Sequence, residues 1–169
     1  MSSSAGHAPE MLLFLLALAA FRPAAAAPPS APPLSPPPRL ERGELALPSG
    51  KVLQVELAVT PEQIARGYMF RSRVGRGEGM LFFMGELGFH SFWMKNCRVA
   101  LDIVWLDEAW RIVHIEREVP PCAADPCPGY APMQAALYVL EIRAGGAGKE
   151  GLKLGDTLFY HAAARRPQP

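Results

Sequence analysis

A chain of 169 residues, half of them apolar, has material for one compact domain and not comfortably for two. Seventeen Lys and Arg against sixteen Asp and Glu leave a net charge of +1, without the one-signed field that draws a protein to nucleic acid, so no nucleic-acid partner is expected. No internal repeat period appears, which excludes solenoids and propellers.

The amino end has the shape of an export signal. Met11 to Phe21 reads MLLFLLALAAF, an apolar run of signal-core length, and the following RPAAAAPPS offers A-x-A cleavage at Ala24 to Ala26. The run is well short of the roughly 20 apolar residues that span a bilayer, so no stable transmembrane span is expected. Residues 1–26 are read as a signal peptide and residues 27–43, rich in Pro and Ala, as a disordered linker. A single domain over residues 44–161 and a disordered tail over 162–169 complete the organisation. The location this implies is periplasmic or extracellular.

The domain opens with a hairpin, because ELALPSGKV puts a Pro-Ser-Gly turn between two strand candidates. Leu53, Val55, Leu57 and Val59 then alternate with Gln54, Glu56 and Ala58, the period of a half-buried strand. Thr60, Pro61 and Gln63 form a T-x-x-Q capping box with proline at the first helical position, and Gly67 can end the helix in the left-handed conformation. Six short runs follow, GMLFFM, FHSFWM, ALDIVWL, RIVHIE, LYVLEI and DTLFY, each bounded by turn residues. LDEAWRIV reads as a tight connection between two of them. Many short strands with one short helix predict a mostly β fold, an antiparallel sandwich, jelly roll or barrel.

Several motifs stand in order between Leu53 and Tyr160: Gly67-Tyr68-Met69-Phe70-Arg71, Gly79-Met80-Leu81-Phe82, Phe92-Trp93-Met94-Lys95-Asn96, Leu101-Asp102-Ile103, Tyr138-Val139-Leu140-Glu141 and Gly155-Asp156. In these the chain resembles domain of unknown function family 192, small and often exported prokaryotic proteins. Tyr68 departs from the leucine usual in that family, and Cys97 from its common threonine. The resemblance implies a compact β domain of sandwich or jelly-roll type, and it implies no established activity and no catalytic residue.

Cys122 and Cys127 lie in PPCAADPCPGY, a C-x4-C loop. In an oxidising compartment such a pair closes, contributing roughly 2 kcal/mol by restraining the loop. Cys97 is then unpaired, read as a small buried apolar residue or as a reactive thiol. The histidines show no metal-ligand spacing, so no metal and no cofactor is expected. A triad of Ser91, His114 and Asp102 can be assembled only on paper, since no nucleophile elbow accompanies it.

The richest stretch is Phe92 to Asp107, FWMKNCRVALDIVWLD. With Phe92 and Met94 facing inward, Trp93 and Lys95 share the other surface, an aromatic face beside an ammonium, with Asn96 adding donors and an acceptor. Arg71 and Tyr130 are candidates to complete such a pocket. The alternative makes Trp93 a plug and Lys95 the partner of Asp102 or Glu141. Asp102 sits among Leu101, Ile103, Val104 and Trp105 and requires a cation or several N–H donors. Backbone N–H groups of the KNCRVA turn, or Lys95, would serve. Glu141 in YVLEI poses the same problem.

Three functional classes follow. A noncatalytic envelope or extracellular module would bind a small polar or anionic ligand, or a surface polymer, around Arg71, Trp93 and Lys95. An acid–base enzyme would use Asp102 and Glu141, and so needs both in one cleft. The third class is a structural or assembly protein of the envelope. Protein recovered from its host should have an intact mass lacking about the first 26 residues; a mass beginning at Met1, in a cytosolic fraction, contradicts export.

Overall fold

The computed structural model describes residues 40–162. The expected signal peptide, residues 27–39 of the expected linker and all of the tail but Ala162 lie outside the described residues.

The hairpin is present: β1 (Glu41–Ala46) and β2 (Val52–Ala58) pair antiparallel, with Leu45 opposite Leu53. Strand structure thus begins three residues before the expected domain start. Leu53, Val55 and Leu57 face the core, but the alternation stops there, because Ala58 is buried and Val59 is exposed. The capping box forms as its residue types dictate, and it starts α1 (Pro61–Arg66): Gln63 N donates to Thr60 Oγ1, and Gln63 Oε1 accepts from Thr60 N. Gly67 ends the helix at φ 42°, ψ −130°, a positive φ that favours glycine but lies outside the left-handed helical region.

β3 (Glu78–Gly88) then pairs with β2 in parallel. A parallel pair cannot be closed by a two-residue turn. The chain from Val59 to Gly77, including α1, is the crossover this pair requires. Only Phe92–Trp93 of the expected FHSFWM strand becomes β4, which pairs with β7 (Gly129–Tyr130) in a separate two-stranded ribbon. β5 (Leu101–Leu106) and β6 (Ile112–Val119) form the tight hairpin read from LDEAWRIV, with Asp107 accepting from Ala109 N and Arg111 N in the turn. β8 (Ala136–Arg143) lies between β5 and β3. A second helix, α2 (Gly146–Lys149), and β9 (Phe159–Ala162) complete the order.

The main sheet runs β6-β5-β8-β3-β2-β1-β9 and does not close into a barrel. Its two ends approach each other, however: Arg111 and Thr157 form an isolated bridge, and Leu158 N donates to Trp110 O. The fold is mostly β and sandwich-like, with two short helices in place of the single expected one. GAGK carries no helical periodicity, which is why sequence pattern passes over α2.

Alternate side chains of the sheet enter two apolar layers. Leu45, Val55, Leu81, Val104 and Leu140 fill one, where Phe83, Trp110, Tyr138 and Tyr160 also pack and the Trp110 and Tyr138 rings stack at 3.9 Å. Met80, Phe82, Ile103, Trp105 and Val139 fill the other, beneath the crossover and the ribbon. Trp105 is fully buried, and its indole N–H donates to His90 O at 2.9 Å.

Asp102 faces the first layer and is fully buried. Opposite it, Leu101 pairs with Val119 and Ile103 with Glu116, so two β6 residues face one on β5. This bulge, with Glu118 at φ 53°, aims the Glu118 N–H at Asp102 Oδ1 (2.7 Å). Gly145 N donates to the same oxygen at 3.1 Å, and Ala147 N donates to Oδ2 at 2.7 Å. Asp102 therefore holds β6 and the start of α2, not the KNCRVA turn and not Lys95. Asp102→Asn turns an amide donor toward these N–H groups, and should lower unfolding free energy in urea by about 3 kcal/mol; a loss below about 0.5 kcal/mol contradicts the clasp.

Candidate functional site

Glu141 projects from β8 into the opposite layer. Register explains the separation from Asp102: Asp102 stands opposite Ile142, and Glu141 opposite Ile103, so the two carboxyl groups leave opposite faces of the sheet. The common cleft required of an acid–base pair is not formed.

Above Glu141 runs the crossover. Gly67 passes close to it, where a Cβ would come 3.6 Å from Glu141 Oε2 and 3.4 Å from the Phe82 ring. Glycine is needed there for its positive φ, and its bareness keeps the carboxyl reachable. Ile64, Tyr68, Met69, Trp93 and Cys97 line a narrow cleft with Glu141, offering about 30 Å³ to the centre of a water-sized molecule. That is room for one small polar group. Glu141 is only 4% exposed, and its Oε2 has no hydrogen-bond partner among the described residues. Burial pushes its carboxyl up to about 8, with Arg71 pulling the other way. Burial and then Glu141 push the Cys97 thiol up to about 11, which removes the thiolate a nucleophile needs. Burial and then Glu141 also raise the Tyr68 phenol.

The remaining candidates divide. Trp93 is 51% exposed at the rim, with Lys95 Nζ 5.6 Å from its ring centroid. Lys95 pairs with Asp125 at 3.1 Å, not with Asp102 or Glu141. Both partners are substantially exposed, and such a pair contributes less than about 1 kcal/mol. Asp125 belongs to the loop closed by the Cys122–Cys127 disulfide, and Cys97 is free. Arg71 stands outside the cleft, its Nη2 2.6 Å from Glu56 Oε2 and its guanidinium 5.1 Å from the Tyr68 ring centroid. Asn96, at φ 56°, shapes the turn: its carbonyl accepts from Phe70 N at 2.8 Å, fastening the crossover to the turn after β4. Tyr130 is partly buried opposite Phe92 in the ribbon. Trp93 and Glu141 are thus brought together, while Arg71, Tyr130 and Asp102 are not. Tyr68, Met69 and Ile64 were missed as lining residues; the capping box before Gly67 was the available signal, since it fixes where the crossover descends.

His114 Nε2 lies 3.1 Å from Glu116 Oε1 and Asp102 is occupied by backbone N–H groups, so no triad assembles. Among the described residues no group of three His, Cys, Asp or Glu is placed to hold a metal. A larger cavity of about 230 Å³ lies beside Arg76, Arg143 and Lys149. Its charged side chains are solvated, and its acids are engaged, Glu150 with Lys51 and Glu78 with Gly75 N. Glu56 Oε2 is likewise buried without a hydrogen bond but is ion-paired with Arg71, so among the described residues the Glu141 cleft alone combines depth with a buried polar atom that has neither a hydrogen bond nor an ion pair.

Residues 45–160 match the model of the family DUF192, described as "Uncharacterized ACR". The chain belongs to this family. A crystal structure from Novosphingobium aromaticivorans DSM 12444, of a protein of unknown function, is 32% identical with a TM-score of 0.65, covering 79% of this chain and 94% of its own. Another, from Sinorhizobium meliloti 1021 and bearing a name that suggests a transcription regulator, is 34% identical with a TM-score of 0.61, covering 71% and 92% respectively. No curated protein matches the chain.

The Glu141 carboxyl sets a pH dependence. Its ordinary value of 4.5 applies to the unfolded chain, whereas the fold retains the proton up to about 8. The unfolded state therefore binds fewer protons between those limits, and Glu141 makes stability fall as pH rises through that window, levelling above it. Glu141→Gln removes this penalty. Thermal melts should show the variant gaining on the parent chain as pH is raised from 4.5 to 8; a gap that does not change with pH contradicts the assignment.

Proposed function

We propose that this DUF192 protein is an exported, noncatalytic binding module, and that it takes a small polar ligand in the cleft between Trp93 and Glu141. The observation that carries this is the buried Glu141 Oε2, which lacks a hydrogen-bond partner among the described residues and opens to a cleft with an aromatic rim. A buried polar atom without a partner costs about 1–3 kcal/mol, and a bound group able to hydrogen-bond recovers that cost. The remaining features support binding over turnover. The neighbouring thiol is held protonated, and the second buried carboxyl is on the other face. The apolar run and A-x-A segment support an envelope or extracellular location.

An anionic ligand gathered by Lys95 and Arg71 has less support, because each already has a carboxylate partner. The transcription role suggested by the Sinorhizobium protein's name finds no support in a net charge of +1.

A panel of small alcohols, amides, carboxylates and amines, followed by NMR, tests the proposal. At least one solute should saturably shift the Trp93 indole and Gly67 amide resonances, and Trp93→Ala should weaken it. A panel that leaves both resonances unmoved, or a solute chemically consumed by the protein, overturns it.

A further inference from the structure

Resting on that reading, we propose that the cleft takes a primary ammonium on a short alkyl stem, its head on Glu141 and its stem against Ile64, Met69 and Trp93. Charge is the first argument. The groups facing Glu141 are Tyr68 and Arg71 from the crossover, Arg66 from the end of α1 and Cys97 from the turn after β4. Tyr68 and Cys97 are neutral. Arg71 is held by Glu56 at 2.6 Å, and Arg66 is exposed at the mouth. No described cation therefore reaches the carboxyl, and a ligand that brings one supplies both the missing charge and the missing donor.

Size is the second argument. About 30 Å³ accepts an ammonium head, which matches a water molecule in bulk, and leaves less spare room for the three nitrogens of a guanidinium. The walls are the third. An alkyl stem leaving the head meets Ile64, Met69 and the exposed Trp93 ring, apolar and π surfaces that favour methylenes next to a cation. Binding displaces one proton: the neutral carboxyl and R–NH3+ become a carboxylate–ammonium pair, and the carboxyl proton passes to buffer.

The test titrates the full chain with n-butylammonium, n-butanol, butyrate and guanidinium from pH 6 to 9, using calorimetry and the Trp93 indole resonance. Butylammonium, charged until about pH 10, should bind about tenfold tighter per pH unit up to about 8 and level above it. Near pH 7 it should release about one proton, seen as a heat that depends on the buffer. Glu141→Gln should weaken it by about tenfold or more, and remove the pH dependence. Trp93→Ala, at the exposed rim, should weaken it without altering the melt, which keeps the test open should Glu141→Gln fold poorly. Butylammonium binding that is flat with pH or survives Glu141→Gln overturns the inference. Binding of butanol or butyrate in place of butylammonium overturns it while leaving the cleft reading intact. Guanidinium bound in place of butylammonium, or no response to any of the four, likewise overturns the inference, and the cleft reading falls with it only where the wider panel of alcohols, amides, carboxylates and amines is silent too.

Discussion

The carboxylate of Asp102 is the interaction on which the arrangement depends. A strand that is buried along its whole length has no room for a charged side chain unless the charge is fully solvated by the protein itself. Three backbone N–H groups from two other segments do that here. The bulge in β6 and the positive φ at Glu118 and Gly145 are the local distortions that aim the donors. In return, a helix of four residues, far below the length that is stable alone, acquires a fixed start, and its Ala147 is held in the core.

Glu141 shows the other outcome for the same kind of group. It lies on the neighbouring strand, in the next register position, and is buried almost as completely. No described segment donates to its Oε2, because the crossover above passes it with a glycine, apolar side chains and the Tyr68 ring, while Arg71 turns to Glu56 and Arg66 to solvent. Two carboxyl groups a strand apart are thus separated by a sheet and divided in role: one organises backbone, and the other is left available to something from outside. The partial neutralisation of the surrounding cations by Glu56 and Asp125 sharpens that division.

Much of the local structure was legible. The Pro-Ser-Gly turn, the capping box and the Asp107 hairpin are chemistry carried by neighbouring residues, and each forms where its residues stand. What depends on distant segments was not legible. Nothing in Val55 or Leu81 says that β2 and β3 run parallel, since alternation has no direction. FHSFWM had strand character, yet only two of its residues pair, because the main sheet has no place for them and the ribbon partner is itself two residues long. The need of Asp102 for donors followed from its apolar neighbours, but its actual donors lie 16 to 45 residues away. Trp93 was recognisable as a surface aromatic; its meeting with Glu141 required the sheet to place β8 beneath the crossover.

The parallel pairing of β2 with β3 carries a further consequence for how such a domain can change. Antiparallel neighbours can be joined by minimal turns, and little is then left over to cover the sheet. A parallel pair obliges the chain to travel back along its own length, and the returning segment must lie on one face. In this protein that segment supplies the continuous run from Ile64 to Met69, the upper wall of the cleft. Its length and side chains can vary while the strands on either side keep their register, because longer surface connections add only slowly to the entropy of closure. The register of the sheet and the wall above Glu141 are therefore set by different stretches of chain: strand pairing fixes the one, and the length and side chains of the crossover fix the other.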